Sequence, residues 1–348
     1  MKTSTTPITS SITTPSVTPS NETRRDQHDA TAAAALPTRA RPRLRDRLLL
    51  QEDLNFLLTN RIPRIAATHA MGWFSRLRSP LLARLSIAVW RQFTELDLSD
   101  AERTRFHSLH DCFTRALKPG ARPVDPRPEV LTSPSDAIVG ACGEVRAGQV
   151  LQAKGMPYAM AELFGSDAAA APFEGGTFVT LRLTSAMYHR FHAPADATLR
   201  HVTYISGDTW NVNPIALARV ERLFCRNERA VLHLRLADGT PMALVAVAAV
   251  LVASIRLHAL DVRLHLRWRG PNELPCNHPV AKGQEMGWFE HGSTIVAFVP
   301  RGMALAPGIG EGQRLRMGQP LFERPAVTRA SHGLHAAVAQ PAHDLQPR

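Results

Sequence analysis

From about residue 130 the chain reads as one β-rich segment after another, and that run limits the fold more than any other feature of the sequence. Residues Thr177 to Thr184 favour a strand and end at a turn. Ala230 to Ala237, the Asp238-Gly239 pair, and Met242 to Ile255 read as a hairpin whose second strand is apolar enough to be buried. Val262, Leu264, Leu266 and Trp268 alternate with Arg263, His265, Arg267 and Arg269, the pattern of a half-buried strand. Thr294 to Val299 is another strand, directly after a Gly-Ser pair. Upstream, Pro63 and Pro80 divide a stretch bearing Leu, Ile, Trp73, Phe74, Trp90 and Phe93 into short helices. The predicted class is α+β, a mostly antiparallel β core with amphipathic helices at the N-terminus. At 348 residues the chain has ample length to bury such a core.

Charge adds a second constraint. Lys and Arg number 41 against 30 Asp and Glu, a formal charge of +11, which attracts polyanions. No aromatic-and-glycine RNA-binding signature, zinc-finger spacing or heptad zipper accompanies it, so nucleic acid is not the expected partner. The excess concentrates early. Arg39, Arg41, Arg43, Arg45 and Arg47 are followed by a stretch from Leu54 to Thr94 without Asp or Glu. That stretch carries Arg61, Arg64, Arg76, Arg78, Arg84 and Arg91 among its apolar and aromatic residues. Basic amphipathic helices of this kind lie on anionic membranes, and a helical layer packed on the domain is the plainer alternative. The longest apolar run, Met242 to Ala253, falls short of the ~20 residues a spanning helix needs. The first thirty residues lack the apolar segment of a secretory signal. Cys112, Cys142, Cys225 and Cys276 are too scattered for a zinc knuckle or a disulfide framework, which suits a reducing cytoplasm. Four regions are expected: a disordered basic segment (1–48), a membrane-associating helical region (49–112), a catalytic domain (113–325) and a disordered tail (326–348).

Three segments hold the residue types of a chemical site. They are Ser133-Pro134-Ser135-Asp136, Tyr188-His189-Arg190-Phe191-His192-Ala193-Pro194, and Glu290-His291-Gly292-Ser293-Thr294. A carboxylate, two histidines and a serine behind glycine are the parts of an Asp–His–Ser relay, in which an oriented imidazole takes the hydroxyl proton. His189 and His192 also stand as a metal-type His-x-x-His pair, but no H-E-x-x-H pattern supports it and no metal is expected.

In order along the chain these segments resemble the phosphatidylserine decarboxylase family, over roughly Phe113 to Leu321. The resemblance includes Phe113 to Val124, Leu151 to Gly155 with Tyr158, Gly176-Thr177-Phe178, Asn227-Glu228-Arg229, and Lys282-Gly283-Gln284-Glu285-Met286-Gly287. It implies a pyruvoyl-dependent enzyme that converts phosphatidylserine to phosphatidylethanolamine and CO2 through a Schiff base. By the same resemblance Ser293 becomes the pyruvoyl group after cleavage of the Gly292–Ser293 bond, with His192 as relay base and Asp136 as relay acid. His189 corresponds to a histidine of the decarboxylation step. The products would be a β chain of residues 1–292 and an α chain of residues 293–348, held as a heterodimer that could assemble further on the cytoplasmic face of the cell membrane. This chain departs from the pattern at His291, where an apolar residue is usual, and at Ala137, Ala248 and Ala253, where glycine is expected. Two rivals follow from the same residues. One is a membrane-binding relative that never cuts itself. The other is a serine hydrolase, disfavoured because Gly292-Ser293-Thr294 lacks a G-x-S-x-G elbow.

Overall fold

The computed structural model describes residues 56–57, 63–152, 155–250, 254–290 and 293–324. Two helices lead. Helix α1 (Arg64–Ser75) follows Pro63, and helix α2 (Pro80–Arg91) is capped by Ser79, whose Oγ accepts from the Leu82 N–H at 3.4 Å. Both prolines therefore stand where helices begin, as the sequence suggests. Ala83 and Ile87 turn inward, and Trp90 meets Phe113 of the short helix α3 (Leu109–Phe113) with ring centroids 4.3 Å apart. Ile65, Trp73, Leu81, Leu85, Val89 and Phe93 remain exposed.

Most of the rest is β structure with short helical turns between strands, and two sheets, whose strands follow, make up the bulk of it. Strands in chain order are β1 (Ala137–Glu144), β2 (Thr177–Leu183), β3 (Arg190–His192), β4 (Ala197–Ile205), β5 (Arg229–Leu236) and β6 (Pro241–Ala248). They continue as β7 (Ser254–Leu257), β8 (Val262–His265), β9 (Glu273–Val280), β10 (Glu285–Phe289), β11 (Ser293–Val299) and β12 (Arg314–Leu315). One eight-stranded antiparallel sheet has the order β9-β4-β5-β6-β11-β2-β1-β12, and a four-stranded sheet the order β8-β7-β10-β3. Side chains of the two sheets share a core, among them Leu181, Leu244 and Ile295 from the large sheet and Phe191, Ile255 and Phe289 from the small one. On the other face of the large sheet, Val245, Val296 and Phe298 pack with Phe164, Phe173 and Phe224. With both faces covered, every residue of β11 is buried, which explains its apolar run from Ile295 to Val299.

Two expected strands need correction. Met242 to Ile255 is two strands: β6 ends at Ala248 in the large sheet and β7 begins at Ser254 in the small one. Both strands are largely buried, so apolar content stays high across the change of sheet and hides it. The alternation from Val262 to Trp268 persists as strand only through His265, because the Trp268 N–H turns back onto the His265 carbonyl at 2.7 Å. The expected disordered ends, 1–48 and 326–348, lie outside the described residues. So does Ala253, whereas Ala137 and Ala248 sit in strands without positive φ and carry no strain from replacing glycine.

Candidate active site

Ser293 opens β11 between two strands. Its backbone is in register with Leu183 of β2 on one side and Ala248 of β6 on the other. Ala248 is anchored in turn by Asn227, whose Nδ2 donates to the Ala248 carbonyl at 2.9 Å, and by its own N–H on the Glu228 carbonyl. Ser293 is fully buried, yet its Oγ has no hydrogen-bond partner among the described residues. An unpaired buried hydroxyl forfeits the bonds it made to water, so the fold pays for keeping it uncommitted. Its upstream neighbours His291 and Gly292 lie outside the described residues.

His192 ends β3, where its N–H reaches the Pro134 carbonyl at 2.8 Å and so ties the Tyr-His-Arg-x-His segment to the Ser-Pro-Ser-Asp segment. Its ring is oriented at both nitrogens. A carbonyl only accepts, so the 2.8 Å contact to Gly283 O fixes the proton on Nδ1. Nε2 is then the lone-pair nitrogen, and it accepts from the Tyr188 hydroxyl at 3.0 Å. Burial pushes the imidazole below its ordinary pKa, against the bond to Gly283 and the charges of Glu285 and Asp136. His192 is therefore neutral at physiological pH, as a general base must be. Gly283 holds its carbonyl there from a turn with φ +79°, and a Cβ at that position would come within 2.8 Å of Val124 Cγ2.

Asp136 is buried beside this group but is bound elsewhere. Arg122 donates to both of its oxygens, at 2.8 and 2.6 Å, and the Met317 N–H donates at 2.9 Å. Arg122 also reaches Asp100 at 2.8 Å, so one guanidinium ties Asp100 and Asp136 together. Asp136 thus acts on His192 through its charge and not through a hydrogen bond. His189 is wholly buried against Phe113, and among the described residues its ring nitrogens have only the backbone of Phe113 and Thr184 nearby, short of well-formed hydrogen bonds. Burial, reinforced by the Arg115 charge and opposed by the nearby backbone of Phe113 and Thr184, lowers its pKa to about 3. Thr184 follows Leu183, the strand partner of Ser293.

Among the described residues no hydrogen bond links Ser293, His192, Asp136 and His189 into a relay. Tyr188 and Arg122 are functional candidates that sequence reasoning missed, although both stand inside the motif blocks. Their types were visible; their partners were not. Among the described residues no group of His, Cys, Asp and Glu is arranged to hold a metal ion.

Two cavities flank the end of β2, whose Leu183 is the strand partner of Ser293. An apolar one of about 710 Å³ lies under α1 and α2, lined by Phe74, Leu85, Val89 and Trp90, and by Leu183 on the core side. A polar one of about 540 Å³ is lined by Asp136, Tyr188, Arg115, Arg122 and Arg316. Thr184 and Ser185 line both.

The model of the phosphatidylserine decarboxylase family matches residues 109–323. The chain belongs to that family. It is 34% identical over 275 residues to the phosphatidylserine decarboxylase proenzyme of Brevibacillus brevis, an alignment covering 77% of this chain and 97% of that protein. It is also 34% identical over 290 residues to the proenzymes of Yersinia pestis and Yersinia pseudotuberculosis, covering 80% of this chain and 98% of theirs. For this decarboxylase the blocks noted in the sequence acquire structural roles. Asn227 holds the strand beside Ser293, and Arg229 ties down the carbonyls of Glu162, Leu163, Cys225 and Asn227. Gly287 lies so close to the Arg256 carbonyl that a Cβ would approach it to 2.0 Å.

Proposed function

We propose that this phosphatidylserine decarboxylase is a self-cutting proenzyme that makes its catalytic group from Ser293. The observation that carries the reading is the buried Ser293 hydroxyl, committed to no bond among the described residues and directly following Gly292 in the sequence. His192 supplies a neutral imidazole with a defined lone-pair nitrogen, and Tyr188 covers that nitrogen until the hydroxyl displaces it. Ser293 Oγ, giving its proton to His192, attacks the Gly292 carbonyl, and the amide bond is exchanged for an ester. Elimination across Cα and Cβ of residue 293 releases Gly292 as a carboxylate and leaves dehydroalanine. Water then yields the pyruvoyl group and ammonia. Asp136, clamped by Arg122, supports the charge that His192 acquires.

A pyruvoyl group at residue 293 supplies the electron sink that no amino acid side chain offers for loss of CO2 from the serine headgroup. The chain's own residues do the rest. The polar cavity, with its arginines, suits the anionic headgroup, and the apolar cavity under α1 and α2 suits the acyl chains. His189, buried and neutral beside Thr184, is placed to hold or pass a proton during turnover. Trp73, Leu81, Leu85 and Phe93 extend the apolar surface outward next to Arg78 and Arg84, which suits a peripheral enzyme on the cytoplasmic face of the cell membrane. No described helix is long and apolar enough to cross a membrane.

A denaturing gel with intact mass on purified protein tests the reading. Two chains, 1–292 and 293–348, are expected, the shorter blocked at its N-terminus, together with release of CO2 from phosphatidylserine. A chain that stays whole after long incubation would fit the non-cutting relative or the hydrolase instead. Ser293→Ala should remain uncut and inactive.

A further inference from the structure

Glu290 stands three residues before Ser293 and has no part in the chemistry above. It is nevertheless the most firmly held acidic group next to the cut. Its side chain is only 9% exposed and is gripped from three elements. Ser254 Oγ, at the start of β7, donates to Oε2 at 2.5 Å. Arg76, which caps the C-terminus of α1, donates to the same oxygen. Arg263 of β8 lies 3.8 Å from Oε1. The backbone just before it is fixed as well, because the Phe289 N–H donates to the His189 carbonyl at 3.0 Å. A carboxylate this buried is tolerated only because it is paired, and removing a partner would leave it uncompensated.

Ser293 is fixed independently by its ladder to Leu183 and Ala248. Only His291 and Gly292 separate these two immobilised residues in the sequence. Attack by a hydroxyl on a neighbouring carbonyl depends steeply on distance and angle, and a displacement of about 1 Å can cost ~10²-fold in rate. We propose that Glu290 is a positioning residue for self-cleavage: anchored by Ser254 and Arg76, it holds the Gly292 side of the bond against Ser293. The inference rests on cleavage at Gly292–Ser293. Because Arg76 belongs to α1, whose Trp73 faces outward, the anchor also makes the cut depend on how the N-terminal helices are seated.

The test follows full-length precursor made by cell-free translation, scoring uncut and cut chains over time. Glu290→Gln, which keeps an acceptor for Ser254 but loses the charge, should slow cleavage ~10-fold, and Glu290→Ala ~10²-fold. Arg76→Ala should slow it similarly, and Arg76→Lys, which can still reach the carboxylate, should restore most of the rate. Melting temperatures are measured in a Ser293→Ala background, where no variant can cut. Slowed cleavage with unchanged melting and rescue by lysine supports positioning. Wild-type cleavage rates in both Glu290 variants would overturn it. Slow cleavage that tracks a lowered melting temperature, without rescue by lysine, would also overturn it, since that is a purely structural role. If the unsubstituted chain never cuts while Ser293→Ala looks identical, self-cleavage itself fails, and this inference fails with it.

Discussion

The two histidines of the Tyr-His-Arg-x-His segment differ only in their surroundings, and those surroundings separate their roles. His192 has a fixed tautomer, an available lone pair beneath Tyr188 and the field of Asp136. His189 has no well-formed hydrogen bond among the described residues to fix its tautomer, feels the Arg115 cation in place of a carboxylate, and is sealed against Phe113. His192→Ala should therefore accumulate uncut chain, and Asp136→Ala should do so more leakily, because Asp136 supports the imidazole only through its charge. His189→Ala should still cut, but should decarboxylate ~10²–10⁴-fold more slowly, the usual loss for a proton-transfer group. Measuring cleavage and turnover separately decides the assignment, and the reverse pattern would exchange the two roles. The pH profile gives a second handle. Burial lowers the His192 pKa from 6.5, so its neutral form persists as pH falls through that value. The acid limb of cleavage should accordingly lie below pH 6.5. An acid limb that vanishes in His291→Leu would instead identify that residue as the controlling group.

Strand β5 shows how an element can carry a charge problem close to the site without being part of it. Glu228, immediately before β5, is fully buried and pairs with Tyr204 of β4, whose hydroxyl lies 2.7 Å from Oε1. Burial raises its pKa to about 8, opposed only by the bond from Tyr204. Folded protein thus keeps a proton on Glu228 that the unfolded chain gives up above its ordinary value of 4.5. Between those values the native state binds more protons, so stability falls as pH rises, by roughly 1 kcal/mol per pH unit from this group. Above about 8 both states are ionised and the slope ends. Glu228→Gln mimics the protonated form and should flatten that decline in urea titrations run from pH 5 to pH 9. An unchanged slope would mean that Glu228 is already ionised in the folded chain.

For the molecule as a whole, the position of β11 matters more than its sequence. The proposed cut falls at the first residue of a strand that lies inside the large sheet, between β6 and β2. The short product would donate that strand and the long product both of its neighbours. Separating them would expose every residue of β11 to water, at a cost of about 25 cal/mol per Å² of apolar surface. The cut protein should therefore elute as one species in native gel filtration and resolve into two chains only under denaturing conditions. The same material should sediment with anionic vesicles. Replacing Arg78 and Arg84 with Glu should weaken that sedimentation, most visibly at low salt. Two separate peaks, or binding indifferent to the charge reversal, would remove the corresponding claim.

By itself the sequence determined the α+β class, the helix starts at Pro63 and Pro80, the strands around Thr177 and Ser293, and the segments that supply the chemical groups. These are local properties: turn residues, side-chain alternation and short contiguous motifs act within a few positions of one another. The division of Met242 to Ile255 between two sheets escaped because burial on both sides erases periodicity. The company each group keeps escaped for a different reason. Arg122 finds Asp136, His192 finds Gly283, and Arg76 finds Glu290 across 14, 91 and 214 positions of chain. Such pairs are chosen by which strands and helices the fold brings together, and with them come the tautomer of His192, the burial of His189 and the fixed ends around the scissile bond. The tertiary structure alone decided those, because desolvation and hydrogen-bond geometry exist only once the elements have packed.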